Sequence, residues 1–293
     1  MAIKTYYLLK RYIDTSERNL PFYVENLTST AATLTVNTNI GDATNVEYST
    51  DNSTWSSTKP SVPANGRVYI RANATYWGNT IYNIINCNQQ FNIGGNIMSL
   101  LYGSSFTGTE TSFPDQTKTH IFAGLFRGTF GSNYLVSAEK LALPATTMTN
   151  DCYSSMFNGC TALTTAPTLP ATTLANQCYY GMFGSCTSLT TAPALPATTL
   201  ADNCYSNMFS DCTSLTAAPT LPATTLAQGC YYGMFQRCTN LNSITVGATS
   251  WITTYTTDWL LNVSATGTFT KPSGTTIPEG TYGIPSGWTV VNV

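Results

Sequence analysis

Eight cysteines fall in two interleaved series: Cys152, Cys178, Cys204 and Cys230 and, eight positions on, Cys160, Cys186, Cys212 and Cys238. A thiol does chemistry as a metal ligand, a disulfide half or a nucleophile, and otherwise behaves as a small hydrophobe. Zinc sites bring cysteine ligands roughly two to four residues apart, and here the gap is eight with no histidine nearby. No metal or cofactor is expected. A disulfide inside each unit, Cys178 to Cys186 for example, is the alternative to free thiols. The total of nine, counting Cys87, is odd and leaves at least one thiol unpaired in a monomer. The expectation is reduced, buried columns.

Other reactive groups are sparse. The single histidine, His120, lacks a serine or cysteine in nucleophile-elbow context. Asp202 and Asp211 lie nine apart in one unit, the spacing of a conceivable glycosidase pair, but neighbouring units do not repeat both positions. No phosphate-binding glycine loop or metal motif is present, so no catalytic residue is expected and an enzyme acting on carbohydrate ranks last.

The elements that carry these residues repeat strictly every 26 positions. Leu-Pro-Ala-Thr-Thr recurs at Leu143, Leu169, Leu195 and Leu221, Met-Phe pairs begin at Met156, Met182, Met208 and Met234, and leucines recur at Leu163, Leu189, Leu215 and Leu241. Such a period marks a solenoid, whose units bury an apolar face only by stacking. Within a unit, Leu174, Cys178 and Met182 are spaced by four, as are Ala175, Tyr179 and Phe183. That spacing predicts a short helix, capped by Thr172 or Thr173 and ended by Gly184-Ser185. "CTSLTTAP" then predicts a short strand. Strands stack at about 4.8 Å and helices at roughly 8 to 10 Å, so the stack should curve with its strands inside.

The expected fold class is therefore α+β of the repeat type: a small β-sandwich, then a leucine-rich-repeat-like solenoid of one strand and one helix per unit, then a β-tail. The predicted bounds are an attachment segment at 1–18, the sandwich at 19–95, an N-terminal cap at 96–142, four repeats at 143–243 and a C-terminal cap with β-tail at 244–293. The sandwich rests on "FYVENLTSTAATLTVNT", "NVEYSTDNSTW", "GRVYIRANATYW" and "NIINCNQQFNI", which alternate apolar with polar residues between turn clusters. The repeat pattern stops at Ile244, where Trp251 and Trp259 are expected to close the core.

Only 9% of the 293 residues are charged, with twelve Lys and Arg against fourteen Asp and Glu. So weak a balance argues against a nucleic-acid partner. The basic residues Lys4, Lys10, Arg11 and Arg18 form a local excess at the start. No run of eighteen apolar residues predicts a membrane span, and "MAIKTYYLLKRYIDTSERNLPF" lacks the apolar region of a secretory signal. A cytosolic protein, a trimmed chain or a virion component released by host lysis would each fit.

The phrase "LPATTLA..CY..MF..CTSLT.AP", with "NIMSLLYG", "VEYSTDNSTW" and "SATGTF…GIPSGWTV", resembles BspA-like leucine-rich-repeat proteins of gut Bacteroidetes and the crAss-like bacteriophages that infect them. The resemblance covers roughly residues 30 to 293. It implies a non-enzymatic surface or virion protein that binds cell-surface components. Without an export signal, the virion reading leads: a head or tail fibre or decoration subunit, joined to other virion proteins through its N-terminal region and binding host surface glycan or protein. A homotrimer or homodimer is expected. A bacterial cell-surface adhesin is the alternative.

The expected contact residues are tyrosines. Tyr153, Tyr179, Tyr205 and Tyr231 form a column that reads either as a packing ladder or as an aromatic strip. Tyr180 and Tyr232 occur in only two units and are the better candidates for exposed contact. On the strand side Thr164, Thr190 and Thr216, with Thr165, Thr191 and Ala217, make a flat and largely hydroxyl surface.

Overall fold

A computed structural model describes residues 15–39, 41–78, 84–128 and 133–293. Most of the expected attachment segment, residues 1–14, lies outside the described residues.

The N-terminal part is built on a five-stranded sheet of order β3-β4-β1-β6-β7, from β1 (Tyr23–Asn26), β3 (Thr44–Ser49), β4 (Arg67–Asn73), β6 (Phe91–Asn96) and β7 (Leu135–Ala142). A second sheet pairs β2 (Leu34–Val36) with β5 (Ile85–Cys87). Alternation does what it should in β4, where Val68, Ile70 and Ala72 point inward and their neighbours do not. "STDNSTW" is a turn held by Asp51, whose Oδ1 accepts from the Ser53 and Thr54 amides at 2.8 Å each, while Asn52 takes a positive φ. A short helix, α1 (Thr15–Arg18), is tied to the sheet by Glu17, which accepts from the Tyr23 hydroxyl and pairs with Arg67.

No break separates the sheet from the repeats. The expected boundary after residue 95 falls inside β6, and β6 pairs in parallel with β7 beyond it. On its other edge β7 meets the first repeat, through the Ala138 amide on Thr165 and the Thr164 amide on Val136. One apolar core runs from Phe22 to Trp288.

The repeats differ from expectation in their local structure. Residues 176–185 are not a helix but a ribbon of turns with a positive φ at every fourth residue: Gln177, Gly181 and Ser185 in the second unit. The backbone donors alternate. The amides of Gln177, Tyr179, Gly181, Phe183 and Ser185 reach the carbonyls of Asp202, Cys204, Ser206, Met208 and Ser210 in the next coil, at 2.7 to 3.1 Å. The amides between them reach back three residues within their own coil, as Tyr180 does to Gln177 and Gly184 to Gly181. A period of four places Leu174, Cys178 and Met182 on one side in a turn ribbon as well as in a helix, so apolar spacing could not separate the two. Left-handed backbone costs about 1 kcal/mol or more at a residue with a Cβ. The coil-to-coil bonds offset that cost.

Without the helix there is no mismatch of spacing to curve the stack. Adjacent coils are hydrogen-bonded on the turn side, and their stacked rings lie 5.4 to 6.4 Å apart. That is close to sheet spacing rather than helix spacing. The expected strands are missing from the first three units, where bridges such as Thr147 to Thr173 and Thr173 to Thr199 stand alone, and only the fourth forms one, at Ser243–Thr245. Two prolines, such as Pro193 and Pro196, follow the strand segment in each of the first three units and none does in the fourth, and a residue without an amide hydrogen cannot extend a ladder.

The turn ribbon outlasts the sequence pattern at both ends. In the cap coil at 120–128 the His120 amide reaches Asn150 and the Phe122 amide reaches Cys152, a step five residues longer than the one from Asp151 to Asn176. Beyond Ile244, where the pattern was expected to stop, Tyr231 and Arg237 donate to Tyr255 and Leu261. Asp258 and Asn262 in this last coil repeat the positive φ. The chain then closes with a parallel sheet of β8 (Ser243–Thr245), β9 (Thr268–Lys271) and β10 (Thr289–Asn292).

Candidate functional site

The cysteines come first because they are the most reactive residue type in the chain. All nine are free and buried. Cys160, Cys186, Cys212 and Cys238 donate Sγ–H to the carbonyls of Phe126, Phe157, Phe183 and Phe209 at 3.0 to 3.2 Å, one rung per coil. Burial pushes the Cys152, Cys230 and Cys238 thiols up to about 12 and raises those of Cys160, Cys178, Cys186, Cys204 and Cys212 as well. A thiol held protonated out of reach of solvent is neither nucleophile nor ligand. Among the described residues no group of three His, Cys, Asp or Glu is placed to hold a metal ion, and no helix is long and apolar enough to cross a membrane.

Tyr153, Tyr179, Tyr205 and Tyr231 are removed from the contact candidates. They are at most 2% exposed and stack at 5.9, 6.0 and 6.4 Å. Phe122 closes the column at one end and Trp259 at the other. Beside it runs a phenylalanine column from Phe126 to Phe235. A ring fully covered by its neighbours in the stack offers nothing to a ligand.

Tyr180 and Tyr232 are on the surface, 36% and 43% exposed. They occupy the same place in alternate coils, within Cys-Tyr-Tyr-Gly-Met-Phe at 178–183 and 230–235, whereas the first and third units read Cys-Tyr-Ser-Ser-Met-Phe and Cys-Tyr-Ser-Asn-Met-Phe. Asn207 lies between the two tyrosine coils. Its Nδ2 donates to the Tyr180 hydroxyl at 3.4 Å, and a Cβ on Gly233 would stand 2.3 Å from its Oδ1. Glycine at 233 therefore serves twice, by accepting a φ of +56° and by leaving room for the asparagine. The bond to Asn207 also draws the Tyr180 side chain toward the next coil, so it leans along the stack.

Polar side chains flank this row. Asn150 Oδ1 accepts from the Asn176 amide and Asp202 Oδ1 from the Gln228 amide, each at 3.2 Å. The two aspartates of the conceivable glycosidase pair have other occupations. Asp202 makes that bond, and Asp211 is clamped by Arg237 at 2.5 and 2.6 Å, which holds its carboxyl below the ordinary range.

Two further surfaces lie elsewhere. A groove of about 510 Å³ at the junction of sheet and cap coil is lined by Gly41, Tyr76, Gly78 and Thr117–His120, with Lys118 Nζ 5.8 Å from the Tyr76 ring centre. On the threonine side a recess of about 300 Å³ opens between Thr198–Leu200 and Thr224–Ala227. The sequence reading missed both. The first needs partners 40 to 80 residues apart brought together by the sheet, and the second needs a local loss of bridging between coils.

Comparison with family models, with curated proteins and with solved structures found no match.

Proposed function

We propose that this chain is a non-catalytic binding protein, a leucine-rich-repeat-like solenoid that holds one face out to a glycan or protein on a host cell surface. What carries the reading is the distribution of variation among the units. Interior positions are nearly invariant in type, with Cys, Tyr, Met, Phe and Leu in unbroken columns, and the units diverge most at the place after the tyrosine column, where Tyr180 and Tyr232 reach solvent, Ser154 is half-buried and Ser206 is covered. A rigid repeating frame with a differentiated rim suits recognition. Exposed tyrosines suit it further, because they offer apolar area with a polar tip at little entropic cost.

The resemblance to BspA-like proteins of Bacteroidetes and their phages supports display on a virion, as a fibre or decoration subunit attached through its N-terminal region. Two measurements test this. Mass spectrometry of purified particles and of host envelopes should find the chain in the particles, and recovery from envelopes alone would make it a cell-surface adhesin. Binding of the purified protein to host surface polysaccharide should fall at least about tenfold in the double variant Tyr180→Ala, Tyr232→Ala without loss of folding. Unchanged binding would remove this face from the reading.

A further inference from the structure

The two exposed tyrosines are separated by two coils, and that separation is a length. Adjacent coils are hydrogen-bonded through their backbones, and ring centres along the stack step by 5.6 and then 5.5 Å from Phe183 to Phe209 to Phe235. Hydrogen-bonded chains are spaced at about 4.8 Å, so equivalent atoms two coils apart lie roughly 10 to 11 Å from each other. Tyr180 and Tyr232 are equivalent in backbone position, and the hydroxyl of Tyr180 also reaches Asn207 in the coil between them. The coil between them carries Ser206, which is buried, and Asn207, which bridges toward both neighbours. The surface repeat of the array is thus two coils, although its backbone repeat is one.

We infer that the ligand of this face is a neutral, extended, β-1,4-linked glycan chain running along the stack axis, with its first and third sugars on Tyr180 and Tyr232. The inference rests on the glycan-binding reading above and narrows it. In such a chain each link turns the next sugar over, so every second sugar presents the same face. From ordinary covalent bond lengths one pyranose unit advances by ~5 Å and the same-face repeat is roughly 10 Å. Tyrosine rings meet the apolar face of a sugar as they meet other flat apolar surfaces, and two platforms on one rigid frame act together on a single chain. Asn176 and Gln228 add side-chain amides beside the row, suited to hydroxyls. Ionic side chains are few on this rim, and the Asp202 carboxylate beside the row favours a neutral polymer over an acidic one.

The experiment is isothermal titration of the full chain with cello- and chito-oligosaccharides of two to six sugars, and with maltohexaose as an α-linked control. Affinity should step up by roughly tenfold or more between two and three sugars, and either Tyr180→Ala or Tyr232→Ala should abolish the step. A second arm duplicates residues 203–228, which moves the tyrosines three coils apart while keeping both. Disaccharide affinity should persist there and the step should vanish. Binding that grows smoothly with length, survives the duplication, or favours maltohexaose would overturn the spacing match while leaving a glycan-binding role standing. No binding of any sugar or host polysaccharide would overturn the glycan reading itself. If the duplicated chain does not fold, the length series on the parent and the single variants decides.

Discussion

In the N-terminal sheet Arg67 reaches Glu25 at 2.8 Å and Glu17 at 3.1 Å while lying over the Tyr23 ring, and Arg71 pairs with Glu47 beneath Trp55. The regular coils place no ion pair inside their stack, and the one between Asp211 and Arg237 sits on the rim. Each sheet contact occurs once and joins residues tens of positions apart. Each stack contact recurs in the next coil with the same partners. A molecule can therefore be held by specific, singular pairs in one half and by translation of a single motif in the other. The two halves should fail under different insults.

The largest contrast is expected in alkali. The stack holds eight thiols that burial keeps protonated, against Cys87 alone in the sheet region. Unfolded thiols ionise near their ordinary value of 9.0, while folded Cys152, Cys230 and Cys238 wait until about 12. Above that ordinary value the folded state therefore binds more protons than the unfolded one. The contribution of the thiols is complete below pH 9 and is lost as pH rises toward 12. At about 1.4 kcal/mol per thiol per pH unit, eight thiols remove on the order of 10 kcal/mol per unit. Circular dichroism against pH should show cooperative unfolding within about a unit or two above pH 9. A stack intact beyond pH 12 would show that the thiols are not sealed.

Breaking a singular pair should cost less and be felt locally. Arg67→Ala leaves Glu17 and Glu25 facing each other, partly buried, and is expected to lower stability by about 2 kcal/mol. The measurement is urea unfolding, and a loss within error would show that the pair is only decorative. The smallest change should go the other way. The Tyr179 hydroxyl is buried without a hydrogen-bond partner, so Tyr179→Phe keeps the stacked ring and removes an unsatisfied group. A gain of about 1 kcal/mol is expected in thermal unfolding. A loss would mean that the hydroxyl has a partner.

The period of 26 made the columns legible, because a residue repeated at fixed spacing has to sit above its copy if the units stack. Cys178, Met182, Phe183 and Leu189 could be assigned to the interior because their columns are also wholly apolar. The local conformation was not legible from apolar spacing. Its trace lay in the polar residues, in Asp151, Gln177, Asn203 and Gly229, then Ser155, Gly181, Asn207 and Gly233, which recur four apart and include the types that tolerate left-handed backbone. Tyr180 and Tyr232 could be singled out because they break the period. Tyr153 and its copies could not be placed from sequence, since a column reads the same whether it faces inward or outward.

The alternation of donors in the turn ribbon has an electrical consequence. Every second peptide unit accepts from the coil before it and donates to the coil after it, in one unbroken chain from Trp77 through Ile121, Phe122, Cys152, Tyr153, Cys178, Tyr179, Cys204, Tyr205, Cys230 and Tyr231 to Tyr255. These dipoles all point the same way, as in an α-helix but with the polarity reversed along the chain direction, so partial positive charge gathers at the C-terminal coil and partial negative charge at the cap. Lys118 lies near the negative pole beside the Tyr76 ring, and Asp42 lies there too, accepting from the Tyr76 amide at 3.2 Å. The stack is therefore an axial battery, with its negative end at the cap and its positive end at the last coil.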